Sequence, residues 1–516
     1  MFGSPFSALQ CFEMEVIMKI KVKPRIQYME GREMFDRPEG IIDCAWEIDG
    51  ALRSWKEFIP SGYDDSREMP LVVTLHGGSS KRGGNNHRAE LSTAWAAVAE
   101  REGFIVLYPQ SLTTEHTWSA WEDFSDGRRT KGLKDDIRYI NLLLELIQEK
   151  YRIDKERIYL HGQSFGDVMG TYYLLNSPKH PFAAAATLSG PVGAERLIRN
   201  DGTFYFEGEC AIPVVRTHGS LDLAMPMGTF QHIDDITPTF DLMRELQKKN
   251  GGEEEMIQAK MEMHQLPCIE LWKHCNSCGG EPVLSVRGRY NALTYSGNYD
   301  FHFYSVEEGG HGPSMDMADF IWTYFFSGYR RVNGRVVKGS PDKTFQPDSN
   351  AVVLADGAVN AYVDNRLVSL PGAIRKIGDI FYAPSDCISR LYPQLTVNLE
   401  EGGASAVISD SGREMQVSAC NKTYVWCGYL KHGDRTLIEG DTLLIPVAQA
   451  GGCFYGQKAK TGYDVCYLSG HDGVLTYDFA YLVRQLLGTE RILSTQEMWE
   501  KADRVLKAAA QPGDGV

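Results

Sequence analysis

A serine attacks a carbonyl only if its hydroxyl stands clear of the backbone and a base is at hand to take its proton. Residues 158–166 offer such a serine, because the β-branched and aromatic run Ile158-Tyr159-Leu160 leads into Gly162-Gln163-Ser164-Phe165-Gly166. This GxSxG pattern predicts a sharp strand-to-helix turn with Ser164 at its apex, and glycines two residues either side leave room for that turn. A pentapeptide this short also arises by chance, so its surroundings decide its weight. After it, FGDVMGTYYLLN reads as a helix ended by Asn176-Ser177-Pro178. Before it, Ile137, Ile140, Leu144, Ile147 and Tyr151 recur at helical spacing, with Asp135 and Asp136 at the positive end of that helix. Helix, strand, turn, helix is the local order of a doubly wound parallel sheet.

A serine hydroxyl needs a histidine to deprotonate it, and the histidine needs a carboxylate to fix its tautomer. The strand pattern IPVVRTHGSLD ends at Asp222, where a carboxylate past the carboxyl end of a strand is expected. Asp234, Asp235 and Asp241 have no strand pattern immediately before them and are less suitable. FHFYSVEEGGHG ends in Gly309-Gly310-His311-Gly312, a glycine-flanked histidine on a loop at the same sheet edge. His302 lies within its strand pattern, and His161 and His218 directly precede loop residues, which reads as packing at the sheet ends. The candidate nucleophile, acid and base are therefore Ser164, Asp222 and His311.

A tetrahedral intermediate also needs donors for its oxyanion. The backbone N–H of Phe165, the residue after the nucleophile, is one candidate. The other comes from His76-Gly77-Gly78-Ser79-Ser80, where Gly78 is the first choice and Ser79 the alternative. Trp118, Trp121 and Phe124 lie between a strand end and a helix, and with Phe165 and Met225 they either form an apolar acyl pocket or pack the loop. Trp118, Trp121 and Met225 are the candidate substrate-binding residues.

Elements capable of holding these groups run through the first two thirds of the chain. Arg53–Ile59, Leu71–Leu75, Phe104–Tyr108, Ile158–Leu160, Ala184–Leu188, Val214–Val215 and Phe301–Val306 read as strands, most of them separated by helical segments. An additional first strand is expected at Val16–Val22. This predicts an α/β domain over residues 14–330, with active-site loops at the carboxyl ends of the strands. A polar linker follows over 331–350, then a smaller β-rich domain over 351–516. Within that domain Gly378-Asp379 to Pro384 recurs as Gly440-Asp441 to Pro446, a GDxxxxP pair suggesting an internal repeat. Two terminal helices close the chain, the second opened by a capping box at Ser494-Thr495-Gln496-Glu497.

The 516 residues carry a formal charge of -15 and no long basic run, which argues against nucleic acid or an anionic membrane as partner. No stretch approaches the apolar length of a membrane span, and the N-terminal residues lack the pattern of an export signal, so the chain is expected to be cytoplasmic. Eleven scattered cysteines suit a reducing compartment. Cys268, His274, Cys275 and Cys278 form the one suggestive cluster, but the second well-spaced ligand pair of a structural zinc site is missing, so no metal is assigned.

The phrases RSWKEFIPSGYD, PLVVTLHGG, AEREGFIVLYPQ, YRIDKERIYLHGQSFG, HGSLD and YSVEEGGHG resemble those of the α/β-hydrolase serine esterases that include poly(3-hydroxybutyrate) depolymerases and the feruloyl and acetyl-xylan esterases. The resemblance spans most of residues 50–325, departing from it at Asp167, where such enzymes often carry a second glycine. It implies a cofactor-independent carboxylic-ester hydrolase acting on small or polymeric esters, feruloyl-type or polyester-like. The same residues would also serve a peptidase or acyltransferase, or persist in an inactive binding protein. Residues 350–485 resemble the copper amine oxidase N-terminal-like stalk module, which implies a spacing role or contact with a partner through the C-terminal domain.

Overall fold

The computed structural model describes residues 40–48, 51–77, 95–111, 118, 136–177, 179–190, 211–220, 222, 266–311, 317–341, 343 and 348–490. The expected strand at Val16–Val22 and the helix opened at Ser494 lie outside these residues. Among the described residues no helix is long and apolar enough to cross a membrane.

Ten strands form one mixed sheet: β1 Ile41–Ile48, β2 Ala51–Phe58, β3 Met69–Leu75, β4 Ile105–Pro109, β5 Ile153–Gln163, β6 Ala184–Leu188, β7 Val214–Gly219, β8 Val283–Arg287, β9 Tyr290–Tyr295 and β10 Phe301–Val306. Their spatial order is β1-β2-β4-β3-β5-β6-β7-β10-β9-β8. The six central strands from β4 to β10 pair in parallel, and the hairpins β1-β2 and β8-β9 extend the edges antiparallel. Strands covered on both faces need apolar side chains pointing both ways, which is why they read as continuous runs. Leu71, Val73 and Leu75 enter one core with Ile158 and Leu160, whereas Val72 and Tyr159 enter the other.

The first core is closed by the helices Asp136–Lys150, Phe165–Asn176, Leu266–Cys275 and Tyr477–Leu487, and the second by Trp95–Glu102 and Met317–Tyr324. Asp136, expected at a helix N-terminus, is there and also pairs with the buried Arg53 guanidinium of β2. That guanidinium lies 3.7 Å from the centre of the Tyr139 ring.

The expected linker begins as structure. Tyr329–Val332 and Arg335–Lys338 form a hairpin, anchored where Tyr159 Oη donates to Tyr329 O at 2.8 Å and Arg331 Nε to Phe182 O at 2.7 Å. Beyond it lie a five-stranded, a four-stranded and another five-stranded antiparallel sheet around a third core. The two GDxxxxP segments form equivalent hairpins, each turning at a glycine with φ +61. Their second strands, Ile380–Pro384 and Thr442–Pro446, pair with each other, Ala383 opposite Ile445.

Residues 351–490 do not stand apart from the first domain. Helix Tyr477–Leu487, placed by the sequence with the β-rich domain, packs in the hydrolase-side core together with Val353, Tyr362 and Tyr467. Gly288 bridges Gly473, Asn291 Nδ2 donates to Val474 O at 2.8 Å, and Tyr467 Oη donates to Leu284 O at 3.2 Å. A polar surround at 331–350 suggests a flexible joint, but it says nothing about apolar residues more than a hundred positions later. Replacing buried Phe479 with alanine should therefore cost about 3–5 kcal/mol in urea unfolding and lower the stability of the whole molecule. The exposed control Tyr429→Ala should change it by less than about 0.5 kcal/mol; equal effects would contradict the shared core.

Candidate active site

Ser164 links β5 to the helix Phe165–Asn176 with φ 52 and ψ -120, a backbone conformation that side-chain-bearing residues rarely adopt. The strain is held by close packing. A Cβ on Gly166 would lie 2.1 Å from the carbonyl oxygen of Leu75 at the end of β3, so only glycine lets the new helix start against that strand. Ser164 N–H donates to Leu188 O at 2.8 Å, tying the turn to β6 on its other side.

Asp222 and His311 are brought to Ser164 by the parallel pairing of β7 with β10, which sets Gly219 beside Val306. Here too a side chain would intrude, since a Cβ on Gly219 would meet Gly309 O at 2.3 Å. The two turns are laced together: Ser220 N–H donates to Val306 O at 3.0 Å, and Glu308 N–H to Ser220 Oγ at 3.0 Å. Asp222 N–H closes its own turn onto Gly219 O at 3.0 Å. From these turns the His311 ring reaches both partners. Its Nδ1 donates to the Asp222 carboxylate at 3.0 Å, and its Nε2 accepts from Ser164 Oγ at 2.9 Å. Ser164 and Asp222 are buried, while the His311 side chain keeps 31% of its surface exposed.

Of the expected oxyanion donors, Phe165 opens the helix after Ser164, and Gly78 with its alternative Ser79 lies outside the described residues. The loop leading to Gly78 is nonetheless well fixed. Ser111 N–H donates to His76 Nε2 at 3.1 Å, which leaves the His76 proton on Nδ1, where it bonds Gly77 O at 2.7 Å. Trp118 stacks against His76 with ring centres 4.7 Å apart and donates its indole N–H to His76 O at 2.9 Å.

That contact fits the second of the two roles expected for Trp118, packing of the loop. Trp118 has no exposed surface and props His76 at the end of β3. Trp121, Phe124 and Met225 lie outside the described residues, as do Asp234, Asp235 and Asp241. His161 packs at the sheet end as expected, paired with Thr74 Oγ1 at 2.7 Å, and burial pushes its imidazole down to about 3. His218, read the same way from sequence, is buried and its Nε2 lies 3.7 Å from Asp222.

One feature next to the site was not foreseen. Asp167, the departure from a second glycine, is fully buried and pairs with Arg216 of β7 at 2.9 Å, also accepting from Gly190 N–H at 2.7 Å. Arg216 in turn donates to Gly190 O at 2.6 Å, so one ion pair ties the elbow helix to the strand carrying the acid. Burial pushes the Asp167 carboxyl up, and Arg216 opposes that shift. The cysteine cluster is dispersed. Cys268 and Cys275 are buried in the core, Cys278 Sγ donates to Tyr295 O at 3.5 Å, and among the described residues no group of three or more His, Cys, Asp or Glu could hold a metal ion.

The strand order, the strained serine after β5, the acid after β7 and the histidine after the next parallel strand define an α/β-hydrolase with a hydrogen-bonded Ser–His–Asp set. The pattern of the family described as Esterase PHB depolymerase matches residues 53–198. The chain is 29% identical over 175 residues to a bifunctional acetylxylan esterase/xylanase of Neocallimastix patriciarum, covering 34% of this chain and 22% of that protein. It is 29% identical over 141 residues to poly(3-hydroxyalkanoate) depolymerase C of Paucimonas lemoignei, covering 27% and 32%. The chain thus spans under a third of the length of these curated relatives. Among solved structures it is similar to an acetyl xylan esterase from Aspergillus awamori, 15% identical, TM-score 0.36, covering 55% of this chain and 98% of that one.

Removing one member of a buried pair leaves the other charged and unsolvated. Asp167→Ala should cost about 3–5 kcal/mol of unfolding free energy, and Asp167→Ala/Arg216→Met should recover most of it. A single variant as stable as the wild type would contradict the pairing.

Proposed function

We propose that this chain is a serine carboxylic-ester hydrolase working through an acyl-enzyme, with Ser164 as nucleophile, His311 as general base and acid, and Asp222 as the group that orients His311. The observation that carries the reading is the His311 ring, which touches the serine hydroxyl with one nitrogen and the carboxylate with the other. As Ser164 Oγ bonds to the ester carbon, its proton passes to His311 Nε2, and the imidazolium is stabilised by Asp222. The negative charge moves to the former carbonyl oxygen, where the N–H groups of Phe165 and Gly78 receive it. Collapse expels the alcohol, which takes the proton from His311. Water, deprotonated by the same nitrogen, then releases the acid and restores the serine. No step calls for a cofactor.

The family match and both curated relatives support an acetylated xylan or a poly(3-hydroxyalkanoate) chain as the kind of substrate, and feruloyl-type esters are proposed beside them. The β-rich region over about residues 350–485 is proposed to be a stalk-like module that acts as a spacer or makes contact with a partner. The odd number of cysteines and their scatter along the sequence suit a reducing, cytoplasmic setting.

Turnover of p-nitrophenyl esters of graded length, methyl ferulate and a polyester film tests the reading. Ser164→Ala should lower kcat by at least about 10⁴-fold and Asp222→Asn by about 10⁴-fold, with KM little changed. Hydrolysis undiminished in Ser164→Ala would overturn it. Turnover of peptides in preference to every ester would move the assignment to a peptidase.

A further inference from the structure

His218 sits on β7 directly opposite Ser305 of β10, underneath the turn that carries Asp222. Its Nδ1 donates to Asp478 Oδ2 at 2.7 Å, and its Nε2 faces Asp222 Oδ2 at 3.7 Å. Ser305 Oγ donates to the same Asp478 oxygen at 3.0 Å. Asp478, His218, Ser305 and Asp222 are all buried. Asp222 Oδ2 is also the oxygen that His311 Nδ1 approaches at 3.0 Å. A continuous line of side chains therefore runs from Asp478 through His218 and Asp222 to His311 and Ser164.

We infer that Asp478 is a positioning residue for the hydrolytic site, acting through His218 on the orientation of Asp222, so that the final described helix completes the site from the far end of the chain. The inference rests on the esterase reading of Ser164, Asp222 and His311.

The placement of Asp478 is specific. It lies in the first turn of helix Tyr477–Leu487, whose cap Thr476 accepts from Phe479 N–H at 3.3 Å, and the amide dipoles of that end favour a carboxylate. The cap is itself held to the sheet, since Thr476 N–H donates to Asn291 Oδ1 at 3.1 Å. Were this helix only a packing element, an apolar residue at 478 would be the cheaper choice, because taking a carboxylate out of water is costly unless it is paired. The pairing chosen fixes which edge of the His218 ring faces Asp222. With Nδ1 bonded to Asp478, the ring can turn only its Nε2 edge toward Asp222. Held between two carboxylates in this way, His218 anchors the Asp222 oxygen that must face His311.

The test compares wild type, Asp478→Asn, which keeps the shape, and Ser305→Ala, which removes the other bond to the same oxygen. Two readouts are taken: the rate and affinity of fluorophosphonate labelling at Ser164, and the low-field proton resonance of His311 Nδ1–H, with melting temperature as the folding control. Asp478→Asn should label about tenfold more slowly, equivalent to about 1.4 kcal/mol in the barrier. Its affinity for the probe should be unchanged and its His311 resonance shifted. Ser305→Ala should stay near wild type in both. Wild-type labelling and an unmoved resonance in Asp478→Asn would overturn the proposal. So would a fall in labelling shared equally by Ser305→Ala, because that marks a packing effect. If wild type does not label at Ser164, the esterase reading fails. The resonance requires no turnover and decides the role of Asp478 separately.

Discussion

The parallel pairing of β7 with β10 is the constraint from which the site hangs. It sets His218 opposite Ser305 and Gly219 opposite Val306, and the two turns that follow can then exchange the hydrogen bonds that aim Asp222 and His311 at one serine. The requirement is steric before it is electrostatic. Gly219 must be bare of a side chain for the histidine loop to pass, just as Gly166 must be bare for the elbow helix to start against β3. A single added methyl at either place would push apart strands whose spacing the hydrogen-bond ladder fixes.

The region behind the site is unusually charged for an interior. Asp167, Arg216, His218, Asp222 and Asp478 are all buried, and each such group is tolerable only because its partner is in place. These pairs join elements that are distant in sequence: the elbow helix to β7 through Asp167 and Arg216, and the final described helix to β7 through Asp478 and His218. The apolar packing of Phe479, Tyr481 and Val483 in the hydrolase-side core brings that helix to the sheet, and the charged contact sets its position along it. The β-rich region is consequently tied to the mixed-sheet domain through its last helix, whatever its three sheets do at the surface.

Much of this was legible from local sequence. Buried parallel strands announce themselves as apolar runs, and the expected segments at Leu71–Leu75, Ala184–Leu188 and Phe301–Val306 coincide with β3, β6 and β10 to within two residues. GQSFG, HGSLD and EEGGHG pointed to Ser164, Asp222 and His311 because glycines must stand where backbones approach. The β8-β9 hairpin was not anticipated, although Gly288 at φ +56 between VLSVR and YNALTY carried the signal of a tight turn. Sequence left Trp118 open between a pocket wall and loop packing, because its hydrogen-bond partner, the carbonyl of His76, lies 42 positions earlier. Asp478 was beyond reach for a similar reason. Nothing in TYDFAYLV says that its carboxylate meets a histidine 260 residues upstream.

The central claim is that Ser164 carries the acyl group between two half-reactions. The most direct measurement is rapid acid quenching of the full chain during turnover of an activated short-chain ester, followed by mass spectrometry of its peptides. The account predicts one acyl group on the peptide containing Ser164, formed as fast as the alcohol is released and absent when His311 is replaced by alanine. Ester hydrolysis with no acylated peptide, or acylation at another residue that keeps pace with turnover, would contradict it.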